Sequence, residues 1–365
     1  MPTISTCLIV KNEADIIARC LNSILPFSDE IIIYDTGSDD GTQDVCRAFD
    51  KVRVIQGEWR NDFAWARNES FKYATCDYVM WVDADDYITE ENIKWLINFK
   101  NTELEKYTRV DLEYIYDMSE DGSYSEHFYR ERIFKRSLNP QWYGRIHEFV
   151  SAYGADAAAY MVPFEDFSIY HYKHSPNPIR NLLIYKDMER KGEIKSGRDW
   201  FYYGQECMWH VSNEVAEEKF AKALECKDLW CIDKLNLYMA KSKFEMARGD
   251  YEKAKNNALL AATCTMIPRA DVCCRMGDIY EKIDRKDVAW YWYKMAEDNV
   301  PQGLDSTFME KDKSNVYPLL KLCVLAYENG DINESIRYNN KALSFDPKNE
   351  GALFNKKFFD TLSEK

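Results

Sequence analysis

The segment Tyr78-Val79-Met80-Trp81-Val82 runs apolar and then stops at Asp83, Asp85 and Asp86, three carboxylates within four positions. Five apolar or aromatic residues in succession read as a buried strand, and acids at its end cannot share that burial without a counter-charge. A divalent metal is the simplest partner. Two carboxylates one residue apart can set oxygen ligands around magnesium or manganese, which keep open positions for phosphate oxygens. The alternative is a strand running into an acidic, solvated turn.

The neighbouring pattern favours the metal. Thr6–Val10, Glu30–Tyr34 and Val52–Ile55 are also strand-like, and the segments between them carry helical spacing. That alternation describes a parallel α/β sheet, in which ligands bind outside the carboxyl ends of the strands. The polar clusters fall there: Lys11-Asn12-Glu13 after the first strand, Asp35-Thr36-Gly37-Ser38-Asp39-Asp40-Gly41-Thr42 after the second, and Asp83 to Asp86 after the fourth. Gly37 and Gly41 permit positive φ, and Asp40 or Thr42 can cap the next helix. Asp35 could instead accept hydrogen bonds from a nucleobase or ribose.

From about Asn181 the chain changes to long amphipathic helices broken by Gly249-Asp250, Gly330-Asp331 and Asp346-Pro347. Pro268 and Pro301 lie 33 residues apart, close to the period of about 34 residues in tetratricopeptide repeats. Pro347 comes 46 residues after Pro301. An insertion near Gln302 to Asn315 and about four repeats reconcile the spacing; an irregular helical bundle is the alternative. The expected domains are therefore 1–180 and 181–365. The aromatic run Trp290-Tyr291-Trp292-Tyr293 could bind peptide or pack two protomers together as a homodimer.

Composition excludes several classes. A net charge of −14 argues against nonspecific nucleic-acid or anionic-membrane binding. The 11 cysteines lack Cys-x-x-Cys spacing and read as reduced, mostly buried thiols. Lys11 and Glu13 interrupt the first apolar run, and no window reaches the ~20 apolar residues a membrane helix needs, so the expected location is cytoplasmic.

Val10-Lys11-Asn12-Glu13, the Asp35 to Thr42 segment and Asp83-Ala84-Asp85 resemble the inverting family 2 glycosyltransferases of GT-A fold. Asp62-Phe63-Ala64-Trp65-Ala66-Arg67-Asn68 is similar to a segment of the branch that modifies peptides or lipopolysaccharide cores. With a tetratricopeptide tail, the chain resembles bacterial peptide and protein O- or S-glycosyltransferases. The resemblance covers about half the chain. It implies a UDP-sugar donor, with Val10, Asn12, Glu13, Asp35 and Ser38 holding the nucleoside and Asp83, Ala84 and Asp85 at the metal-bridged diphosphate. It also implies a carboxylate base, for which Glu148 in Trp142-Tyr143-Gly144-Arg145-Ile146-His147-Glu148 is the candidate; a surface pair with Arg145 is its alternative.

His171 is the expected third ligand to manganese or magnesium beside Asp83 and Asp85, with His174 competing and a core histidine as the bland alternative. Asp86 is expected to be merely solvated. His147 could contact diphosphate or acceptor. Arg67 and Arg132 are candidates for phosphate neutralisation or for structural ion pairs. The acceptor is expected to be a peptide or protein lying on the repeats. A surface glycan, or a noncatalytic nucleotide-binding scaffold, are the competing readings.

Overall fold

The computed structural model describes residues 1–118, 124–163, 166–172, 178–298 and 311–363. They form two compact units, Met1–Lys191 and Gly192–Lys365.

In the first unit, β1 (Ile4–Val10), β2 (Glu30–Asp35), β3 (Val52–Gln56) and β4 (Tyr78–Trp81) pair in parallel in the order β3-β2-β1-β4. The apolar runs within β1, β2 and β4 follow from burial on both faces, whereas the edge strand β3 exposes Arg53 and Gln56. Leu8, Ile31, Ile33 and Met80 enter one core with Ile17, Cys20 and Leu21 of α1 (Ile17–Ile24) and Cys46 of α2 (Thr42–Arg47). Cys7, Ile32, Val79 and Trp81 point the other way, into a core with Ala64 and Phe71 of α3 (Phe63–Phe71).

The chain continues through β5 (Asp86–Tyr87), α4 (Glu90–Thr102), β6 (Arg109–Met118), β7 (Tyr124–Lys135), β8 (Gln141–Tyr143), β9 (Phe149–Ser151), β10 (Ala159–Met161), β11 (Ser168–His171) and α5 (Arg180–Lys191). Strand β7 joins β4 antiparallel and β6 joins β7 antiparallel, whereas β10 and β11 run parallel to β6. Strand β5 closes the far edge against β11, and β8 and β9 form a separate hairpin. The sheet is mixed and mostly parallel, the α/β arrangement expected from the alternation of strands and helical segments.

The second unit is a series of helix pairs. Helices α6 (Gly197–His210) and α7 (Asn213–Glu225), α8 (Cys231–Arg248) and α9 (Tyr251–Ala262), and α10 (Ala270–Lys282) and α11 (Lys286–Asp298) precede a short α12 (Lys311–Ser314). Then come α13 (Val316–Glu328), α14 (Ile332–Phe345) and α15 (Glu350–Ser363). Among the described residues there are four principal pairs, the number expected for the repeats; Pro301 and most of the expected insertion lie outside the described residues.

Each Gly-Asp break works as a stop and a start. Gly249 (φ 79°) and Gly330 (φ 83°) take the left-handed conformation that ends a helix, while Asp250 and Asp331 accept from the N–H groups of Lys253 and Glu334 to cap the next. Inside the pairs, a missing side chain on the first helix admits a ring from the second. A Cβ on Gly204 would stand 2.4 Å from the Phe220 ring, and one on Gly277 would stand 2.5 Å from Tyr293. The Trp290 to Tyr293 run is largely consumed by this packing. Tyr293 is buried with its hydroxyl donating to Asp278 and Glu281, Trp290 packs on Tyr338 and Trp292 is partly buried, so Tyr291 alone of the four is strongly exposed. No described helix is long and apolar enough to cross a membrane.

Candidate active site

The loops after β1 and β2 are stitched into one floor. Asn12 adopts φ 58°, donates its N–H to Ser38 Oγ at 2.9 Å and accepts from the Asp39 N–H at 3.0 Å. The N–H groups of Glu13 and Ala14 donate to Thr42 Oγ1 and Asp40 Oδ2. Ser38 and Asn12, expected at the nucleoside, thus spend much of their hydrogen-bonding capacity on the loops. Asp35 is fully buried. Its Oδ1 accepts from the N–H groups of Gly37 and Ser38 at 2.7 and 2.8 Å, while Oδ2 has no hydrogen-bond partner among the described residues.

Val10, Asn12, Glu13 and Thr36 line a cavity of about 530 Å³ together with Trp59, Phe63 and, from α5, Arg180 and Ile184. Burial pushes the Glu13 carboxyl up to about 7, with help from the charges of Asp85, Asp40 and Asp83 and against that of Arg180.

Beside this cavity, α3 positions the residues at the end of β4. Asp62 caps the helix by accepting from the Trp65 N–H. One turn on, the buried Arg67 donates from Nη2 to Asp83 Oδ1 and from Nε to Glu148 Oε1, each at 2.7 Å. Burial works against the Arg67 charge, but the two carboxylates outweigh it and raise its pKa. The same charge, with Arg132, brings Asp83 below its ordinary value against the effect of burial. Glu148 therefore pairs across the fold with Arg67; Arg145, its local alternative, donates to the Asn61 carbonyl and pairs with Asp187 at 3.7 Å.

The neighbouring Asn68 clasps Trp142, donating to its carbonyl and accepting from its N–H. The Phe63 N–H donates to the Arg145 carbonyl, which ties down the loop that leads to Glu148. His147 sits at φ 49° with its ring stacked toward Tyr185.

The structure corrects the reading of Asp86. It is 1% exposed, and its carboxylate accepts from Tyr114 Oη at 2.8 Å, from Arg132 Nη1 at 3.0 Å and from the Asp83 N–H at 2.9 Å. Arg132, a candidate for phosphate, is itself fully buried between the Trp81 and Tyr114 rings, so its charge is spent on Asp86. Replacing Arg132 with methionine leaves that carboxylate buried without its counter-charge and should cost about 3–5 kcal/mol in urea unfolding. A stability within 1 kcal/mol of the parent, on the order of ordinary surface substitutions, would contradict this role.

Antiparallel pairing of β5 with β11 sets His171 opposite Asp86. Its Nδ1 lies 3.3 Å from Asp86 Oδ1 and 3.4 Å from Asp85 Oδ1. Burial opposes a charge on this imidazole, but the Asp86 hydrogen bond and the charges of Asp85, Asp86 and Asp83 prevail and raise its pKa. Ligand atoms of Asp85, Asp86 and His171 all lie within 4.8 Å of one another, a donor set of two carboxylates and an imidazole that fits manganese or magnesium. Asp83 stands beside this group with one oxygen on Arg67, and Ala84 is buried between them in sequence. His174 lies outside the described residues.

Residues 5–155 match the family described as Glycosyl transferase family 2. They are a family 2 glycosyl transferase domain. The chain is similar to the SPbeta prophage-derived glycosyltransferase SunS of Bacillus subtilis, with 29% identity over 236 residues, 61% of this chain and 53% of SunS. It thus spans about half the length of that relative. A TPR repeat-containing protein of Synechococcus elongatus is 36% identical over 91 residues, covering 25% of this chain and 22% of its own. Among solved structures, glucosyl-3-phosphoglycerate synthase from Mycobacterium tuberculosis aligns with a TM-score of 0.35 at 20% identity, covering 54% of this chain and 81% of that one. Arg180, which lies beyond residues 5–155, and Asp86 are residues of this region that sequence reasoning gave no part in the site. No local motif marks Arg180, whereas Asp86 directly follows a recognised acid and was separable from it only through its distant partners Arg132 and Tyr114.

Proposed function

We propose that this protein transfers a hexose or N-acetylhexosamine from a UDP-sugar to a serine, threonine or cysteine side chain of a peptide or protein, with inversion at the anomeric carbon. The observation that carries the reading is the Arg67 bridge, which holds Glu148 and Asp83 on one guanidinium and so sets a base candidate beside the acid cluster at the end of β4. The family 2 domain and the SunS likeness support the reaction class.

In this reading the unpartnered Asp35 Oδ2 accepts from the base of the nucleoside. Val10, Asn12, Glu13 and Ser38 form the floor beneath it, and Asp83 and Ala84 flank the diphosphate. Asp85 and His171 would hold the metal with Asp86, and Asp83 would border it; when bound, the ion offsets charge on the departing diphosphate. Glu148 takes the acceptor proton as the nucleophile attacks from the opposite face. A cysteine thiol would need less help than a hydroxyl, because it ionises more readily. His147, in the same loop as Glu148, faces the acceptor, and the helix pairs offer a surface for an extended polypeptide.

The test is product analysis. With manganese, a panel of UDP-sugars and peptides containing serine, threonine or cysteine, one UDP-sugar should yield a peptide heavier by one sugar, and chelation should stop the reaction. Release of UDP with no gain in peptide mass would overturn the acceptor assignment. Failure to bind any UDP-sugar would overturn the whole reading.

A further inference from the structure

The first turn of α5 brings a cation to the wall of the cavity that Glu13 also lines. Arg180 lines the same space as Lys11, Asn12, Glu13 and Thr36. Its guanidinium lies over the Phe63 ring, 4.8 Å from the centroid. The charges of Glu148, Glu13, Asp83 and Asp85 all favour the charged form of this guanidinium.

Yet among the described residues no carboxylate forms an ion pair with Arg180. The desolvation it suffers outweighs the pull of those four acids and lowers its pKa. It stays charged at any ordinary pH, because arginine titrates so high. By contrast, Arg67 is committed to Asp83 and Glu148, Arg132 to Asp86, and Arg145 to Asp187 and the Asn61 carbonyl. Arg180 is an exposed cation on the cavity wall that no carboxylate among the described residues claims.

We propose that Arg180 grips the diphosphate of the donor, an assignment that rests on the UDP-sugar reading above. A guanidinium presents a planar fork of N–H donors that matches two phosphate oxygens, and stacking on Phe63 fixes the plane of that fork. A diphosphate entering beside Asp83, Asp85, Asp86 and Glu148 meets strong like-charge repulsion, and a second cation next to the metal relieves it. In the transfer step the acceptor oxygen or sulfur bonds to the anomeric carbon and the bond from that carbon to the phosphate oxygen breaks. The electron pair departs on the phosphate oxygen, where Arg180 stabilises it, and the acceptor proton passes to Glu148.

The measurement is ligand binding. Trp59 lines the cavity and serves as a fluorescent reporter for titrations of uridine and of UDP in the presence of manganese. Wild type should bind UDP much more tightly than uridine. Arg180→Gln should lose about 10- to 100-fold in UDP affinity, the loss of a charge-assisted hydrogen bond, while uridine affinity stays unchanged. Arg180→Lys should recover part of the loss, keeping the charge without the fork.

Equal UDP affinity in Arg180→Gln and wild type overturns the assignment. Parallel loss of uridine and UDP also overturns it, since the residue would then be shaping the cavity. If wild type binds neither ligand, the donor reading fails and takes this inference with it. If wild type binds both and only the variant pattern is wrong, the donor reading stands and Arg180 falls alone.

Discussion

Alanine at Asp85 is expected to abolish metal-dependent sugar transfer, with kcat/KM falling at least about a thousandfold, on the order of 4 kcal/mol of transition-state stabilisation. The fold should survive the change. Asp85 holds the Tyr172 N–H through its main-chain carbonyl, which alanine keeps, and His171, which loses the Asp85 carboxylate 3.4 Å away, keeps that of Asp86 at 3.3 Å. Thermal unfolding should therefore match wild type while titrated manganese no longer binds. Turnover at the wild-type level, or unchanged manganese affinity, would remove Asp85 from the metal group.

Glutamine at Glu148 should lower kcat by about 10²- to 10⁴-fold, the usual worth of a general base, and leave donor affinity near wild type. The substitution separates two roles that alanine would confuse. A glutamine carbonyl still accepts from Arg67 Nε, so Arg67 keeps its second anchor and Asp83 its partner. Only the capacity to take a proton is lost. If the glutamine variant turns over at the wild-type rate while the alanine variant is unstable, Glu148 is a structural counter-ion for Arg67 and the base lies elsewhere.

The inner strands of the parallel half were legible because burial on both faces makes them spell apolar runs; Ile31, Ile32 and Ile33 leave no other reading, whereas the edge strand β3 exposes Arg53 and Gln56. The acids at the strand ends were legible for the same reason, as abrupt breaks in those runs. Their division of labour was not. Asp86 looks like a surplus surface acid beside Asp85, and its burial depends on Arg132 and Tyr114, which reach it only after β6 and β7 fold against β4. The partner of Glu148 was sought three residues away at Arg145 and is found on α3, because the loop is held by helix contacts with no sequence-local trace. Arg180 follows a strand of ordinary appearance, and nothing in its own neighbourhood states what it faces. In the repeats the Gly-Asp breaks were readable as punctuation, whereas the seating of Phe220 against Gly204 and of Tyr293 against Gly277 emerges only once two helices lie side by side.

The adjacency of Arg67 and Asn68 on α3 makes one helical turn the gauge for this wall of the candidate site. Arg67 sets where Asp83 and Glu148 stand, and Asn68 sets where the β8 main chain stands. A single residue inserted after the Asp62 cap would rotate both by about 100° and unseat acids drawn from two distant parts of the chain together. The distance from Asp62 to Asn68 is therefore a stretch in which variation in length should be incompatible with activity.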